Sequence, residues 1–137
     1  MIGILIVTHS QLGNALVEAA EFILGSHPEA VEPISIDLNV KVEKLRQKIV
    51  DGIKKVDRRK GILILTDMFG GTPSNLSYSF LEEGRIEVLS GVNLPVLIKA
   101  LSDRQKMTLS ELSKAVEAYG KRSISLASGI LKGNKRS

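Results

Sequence analysis

Two hydrophobic periods take turns along this chain, and their order limits the fold more than any other feature. Ile2–Val7 and Ile62–Leu65 are short, continuous apolar runs with no polar position to turn outward, the pattern of strands buried on both faces. Between them the period changes to that of a helix. In residues 11–24, Leu12, Leu16, Ala19 and Ile23 share one face and Gly25 supplies a stop. In residues 40–56, Val42, Leu45, Ile49 and Ile53 form a stripe opposite a lysine-rich face. Pro33–Leu38 alternates as a second strand and Ile86–Leu89 reads as a fourth. Ser74–Leu81, Val96–Leu101 and Leu109–Tyr119 read as helices, and Ser123–Ala127 as a last strand. Alternation of this kind predicts a three-layer α/β/α fold: a mainly parallel four-stranded sheet plus a C-terminal edge strand, covered on both faces by helices. Without repeat, linker or break in composition, residues 1–127 read as one domain and 128–137 as a basic tail.

Composition narrows the function classes. With 137 residues, 43% hydrophobic and 25% charged, the chain carries enough apolar mass for a core without staples. Cysteine is absent, which removes disulfides and thiolate metal sites and suits a reducing cytoplasm. No apolar run approaches the roughly 18 residues of a membrane span, so any membrane role is expected only indirectly, through partners. The net charge of +4 is mild, with basic residues concentrated at 41–60 and in Lys132–Arg136. Two tyrosines and three phenylalanines make a poor stacking platform, so no nucleic-acid partner is expected.

Chemistry concentrates where strands end. The first strand runs into Thr8-His9-Ser10, and the third into Thr66-Asp67-Met68-Phe69-Gly70-Gly71-Thr72-Pro73-Ser74-Asn75. Ligands of open parallel sheets sit at the carboxyl ends of the strands, and His9, Asp67 and the Gly91–Pro95 loop all fall there. A neutral imidazole serves as nucleophile, base or metal ligand, and each role needs its second nitrogen held in one tautomer. Asp67 accepting the Nδ1–H does this if the first and third strands are neighbours, leaving a lone pair on Nε2. Should Nε2 attack phosphorus, the surroundings must supply donors: the Gly70 and Gly71 amides, the helix starts at Ser10 and at Thr72-Pro73-Ser74, and the hydroxyls of Thr8, Thr66, Thr72 and Ser74. Ser10 and Thr72 are expected as hydroxyl caps, with Pro73 in the first turn. His27, beside Pro28, reads as an exposed loop histidine.

Other chemistries lack their parts. The first strand is not followed by Gly-x-Gly-x-x-Gly, and neither a glycine–lysine phosphate loop nor a Gly-x-Ser-x-Gly elbow is present. Two histidines without cysteine make a poor zinc site, so neither metal nor cofactor is expected.

At these residues the chain resembles the IIA domain of the mannose family of the bacterial phosphoenolpyruvate-dependent sugar phosphotransferase system. The likeness runs from Met1 to about Tyr119. It rests on Ile4-Leu5-Ile6-Val7-Thr8-His9, the Leu65–Asn75 block and Gly91-Val92-Asn93-Leu94-Pro95. The resemblance implies a cytoplasmic phosphocarrier in which His9 is phosphorylated through Nε2 and Asp67 orients the ring. It implies a phosphoryl donor, the carrier protein HPr, and an acceptor, a IIB component, here on a separate chain. It places the Gly70–Ser74 loop around the phosphate, with Asn93 nearby. It also implies a homodimer formed by exchange of a C-terminal strand, for which Ser123–Ala127 is the candidate. Position 69 is Phe where some relatives carry Trp, a change expected to bear on packing or partner contact. The competing readings are a stand-alone regulatory module, whose partner affinity follows the phosphorylation state of His9, and a small hydrolase using His9 as base.

Overall fold

The computed structural model describes residues 1–132. Ten elements follow one another: β1 Gly3–His9, α1 Leu12–Leu24, β2 Val31–Ile36, α2 Val42–Val56, β3 Ile62–Thr66, α3 Thr72–Tyr78, β4 Ile86–Ser90, α4 Leu94–Asp103, α5 Leu109–Arg122 and α6 Ala127–Leu131. The four strands form one parallel sheet in the order β2-β1-β3-β4.

The sidedness of the strands assigns the helices. Ile2, Ile4, Ile6, Leu63 and Leu65 pack with α1, α4 and α5, through residues such as Val17, Leu97 and Leu112. The alternate positions Leu5, Val7, Ile62 and Ile64 pack with α2 and α3, through Leu45, Ile49 and Leu76. Two cores separated by one sheet are the expected three layers. The central strands β1 and β3 are buried on both faces, which is why their sequences show no alternation.

Departures fall at the margins. β2 begins two residues earlier than its alternation suggests and includes Pro33, which an edge strand tolerates because one row of its amides needs no ladder partner. Gly25 stops α1 as expected, in a left-handed conformation with its amide bonded to Glu21 O at 2.8 Å. Ser123–Ala127 is not a strand. Residues 124–126 run irregularly out of α5, and Ala127 opens the short helix α6. The alternation Ser-Ile-Ser-Leu fits a strand, but a strand also needs a ladder partner, and this segment pairs with none of the four. The basic tail expected from residue 128 therefore starts as helix, and 133–137 lie outside the described residues.

Candidate functional site

The site sits where the chain leaves the sheet in opposite directions. After β1 it turns to the α1 face, and after β3 to the α3 face, so a crevice opens between the carboxyl ends of two neighbouring strands. Val7 is paired with Thr66, which puts His9 and Asp67 side by side just beyond the ladder.

A single oxygen fixes the histidine. Asp67 Oδ2 accepts the His9 backbone amide at 2.9 Å and lies 2.8 Å from His9 Nδ1. The other carboxylate oxygen accepts the Met68 amide at 3.0 Å. An ionised carboxylate only accepts, so Nδ1 must carry the proton and Nε2 the free lone pair. Burial by itself would raise the Asp67 carboxyl. The His9 amide, the His9 ring and its charge, and the acid's own amide outweigh that and hold it below the ordinary value of 3.8. The carboxylate is 10% exposed and the imidazole 37%: the anchor is sheltered and the reactive edge is open.

The glycine loop completes the seat. A Cβ on Gly71 would lie 2.8 Å from His9 Cε1 and 3.3 Å from Nε2, so the bare backbone of Gly71 is what leaves the ring its place. Gly70 has φ +90°, a conformation that favours glycine. Ser74 is fully buried and already engaged: its hydroxyl accepts from the Gly70 amide and donates to Gly71 O, both at 3.0 Å. It braces the loop from beneath. Thr72 is the first residue of α3, and the N-cap position is Gly71, without a side-chain cap bond. The expected Thr72 cap is thus replaced by the Ser74 brace, with Pro73 in the first turn as expected.

Ser10 is not a cap either. It takes φ +51°, is exposed, and donates its amide to Ile36 O at 3.3 Å; Gln11 follows as N-cap. The capping bond of α1 comes from inside the sheet: buried Thr8 accepts the Gly13 amide on Oγ1 at 2.8 Å. Asn93 caps α4, its Oδ1 accepting from Val96 N at 2.9 Å. His27 is exposed and paired with Glu21, away from the site.

Two features escape a linear reading. Thr66 Oγ1 donates to Ser90 Oγ, which in turn meets Tyr78 OH, each at 2.8 Å, and the Tyr78 ring packs against Phe69 with centroids 6.0 Å apart. This chain joins the ends of β3 and β4 to α3 beneath the loop. The other is an apolar rim. Leu38, Met68 and Phe69 are 65%, 54% and 78% exposed, and a groove of about 430 Å³ between His9 and Leu38 opens next to the ring. The sequence signal for the rim was a bulky aromatic inside a glycine turn.

Among the described residues no His, Asp and Glu cluster could hold a metal ion, and no helix is long and apolar enough to cross a membrane.

A family model, EIIA-man, described as "PTS system fructose IIA component", matches residues 3–117. The "PTS system fructose-specific EIIA component" of Bacillus subtilis (strain 168) is 30% identical over 129 residues, 93% of this chain and 88% of its own length. The "PTS system mannose-specific EIIAB component" of Escherichia coli (strain K12) is 36% identical over 104 residues, 75% of this chain but 32% of that longer protein. Among solved structures, phosphotransferase system component EIIA from Streptococcus agalactiae superposes with a TM-score of 0.81 at 32% identity, covering 93% of this chain and 98% of that one.

Proposed function

The chain belongs to the EIIA-man family of phosphotransferase-system IIA components, and from that premise we propose that it is a phosphocarrier that takes a phosphoryl group on His9 Nε2 from phospho-HPr and passes it to a IIB component. The observation that carries this reading is the 2.8 Å contact of His9 Nδ1 with Asp67, which leaves Nε2 as the nitrogen with the free lone pair.

The chemistry follows from that bond. The Nε2 lone pair attacks phosphorus in line while the donor's N–P bond breaks and its electrons return to the donor nitrogen. No water, metal or cofactor is consumed. A ring that carries Nδ1–H and an Nε2–P bond is cationic, and the Asp67 carboxylate, held ionised, offsets that charge as it develops. Positioning then supplies most of the catalysis, since the transferred group already sits on a reactive nitrogen. The amides that open α3 lack intrahelical acceptors and are the donors this reading assigns to the incoming oxygens, while the Gly70 amide is occupied by Ser74. The apolar rim of Leu38, Met68 and Phe69 gives a protein partner a surface to bury around the ring. Ser74 enters this reading as the brace of the loop, and Ser10, exposed beside His9, as a hydroxyl donor to the phosphate.

The same reading makes the chain a cytoplasmic homodimer. Ile124 and Leu126 are 82% and 80% exposed on a segment without a ladder partner, and exchange with a second copy would cover them.

The test is incubation with phosphoenolpyruvate, enzyme I and HPr, followed by intact mass. Wild type should gain one acid-labile phosphoryl group, and His9→Ala none while keeping its circular-dichroism spectrum. Labelling of His9→Ala, or no labelling of wild type in a mixture that labels a known IIA domain, overturns the proposal.

A further inference from the structure

A second concavity lies at the other edge of the sheet. β1 spans seven residues, so its amino end is about 20 Å from His9 at roughly 3.3 Å per residue. There the start of β3, the start of β4 and the α4–α5 connection enclose a groove of about 770 Å³. That volume is within the roughly 300–1,000 Å³ of small-molecule sites.

Its charge is lopsided. Arg59, Lys60, Arg85, Arg104 and Lys106 line it, against Asp57 and Glu111. Both acids are engaged by backbone: Asp57 Oδ1 accepts the Arg59 amide at 2.8 Å, and Glu111 Oε1 the Thr108 amide at 2.9 Å. Arg85 is paired with Glu82 at 3.1 Å. Arg59, Lys60 and Lys106 have no acidic partner among the described residues.

Arg104 is the unusual member. It is 5% exposed, and its guanidinium donates only to carbonyl oxygens, those of Ile2, Ala30 and Glu29. Its buried Nε has no partner. Tying the amino ends of β1 and β2 together accounts for the guanidinium nitrogens. The Nε is sealed from solvent and out of a ligand's reach, and what the tie leaves unexplained is three unpaired cations gathered around the same groove. The amino end of the 14-residue α5, through Thr108 and Leu109, adds the positive end of a helix dipole. Aromatic residues are missing from the lining, which disfavours stacked bases.

We propose that this groove binds a phosphorylated small molecule carrying at least two anionic groups, one held by Arg59 and Lys60 and the other by Lys106. Lysine heads and a helix start suit tetrahedral phosphate oxygens, and cations on two sides of the groove call for two such groups.

The test uses pyrophosphate as probe and inorganic phosphate as comparison, by calorimetry and amide chemical shifts at low ionic strength. Wild type should bind pyrophosphate saturably and more tightly than phosphate, with shifts confined to 59–61 and 104–109. The double variant Lys60→Glu, Lys106→Glu, with dispersed spectra, should lose about tenfold or more in affinity, and His9→Ala should bind as wild type. Absence of saturable pyrophosphate binding, full affinity in the double variant, or loss of binding in His9→Ala (which would put the anion at the histidine) overturns the proposal.

Discussion

Gly71 and Asp67 hold the same imidazole from two sides, one by leaving space and the other by bonding. Gly71 has φ −88°, open to any residue, so Gly71→Ala leaves the backbone unstrained and presses a methyl group into the His9 ring. Stability should change little, while phosphoryl transfer falls by about tenfold to a hundredfold, as expected for a misplaced reacting atom; single-turnover transfer from phospho-HPr measures it. Asp67→Asn should lower the same rate by about a hundredfold, because an amide does not fix the tautomer. It also has a pH signature. The folded-state value of Asp67 is depressed, so its stabilisation is present above the unfolded value of 3.8 and is lost as pH falls through the lower folded value. The stability advantage of wild type over Asp67→Asn should therefore shrink from about pH 5 downward in urea titrations. The residue pair was legible in the sequence because a lone histidine and a lone acid each follow a buried strand. The roles of Ser74, Ser10 and Thr8 were not: a hydroxyl beside a helix start looks alike whether it caps, braces or stands idle, and only tertiary contact separates the three.

Helices and strands meet the sheet at points with no slack. A Cβ on Gly3 would stand 2.3 Å from the carbonyl oxygen of Val56, where α2 ends against the start of β1. Backbone does not yield as a side chain would, so Gly3→Ala should cost about 3 kcal/mol or more in chemical denaturation. Thr8→Val keeps the shape but leaves the buried Gly13 amide without its acceptor, and should cost about 1–3 kcal/mol. Strand and helix types were readable along most of the chain because parallel strands are apolar throughout and helices carry a stripe. The exceptions have causes. β2 carries a proline that reads as a boundary but sits on an edge. Residues 123–127 carry a strand-like alternation without a neighbour to pair with, and pairing is a property of two segments rather than one. Sheet order likewise is invisible in a single sequence, and the β1–β3 adjacency that joins His9 to Asp67 had to come from the fold.

At the scale of the whole molecule the sheet has two chemically different edges, with the histidine at one and the basic groove at the other. If two copies exchange their C-terminal segments, Ile124→Glu with Leu126→Glu should shift the mass in light scattering from dimer to monomer. A dimer unchanged by both charges would exclude that segment from the interface. The position of β1 at the centre of the sheet has a further effect, on the chain during synthesis. Ile4 pairs with Leu63, 59 residues later, and at about 5–20 residues per second the ribosome needs roughly 3–12 s to supply that partner. For those seconds β1, the strand that carries the histidine, has only β2 to pair with, and its β3-facing edge stays open. The nascent chain thus passes through an interval in which the strand of its future reactive segment presents an open aliphatic edge, and a holding chaperone that recognises short aliphatic stretches should bind there and release once β3 has emerged.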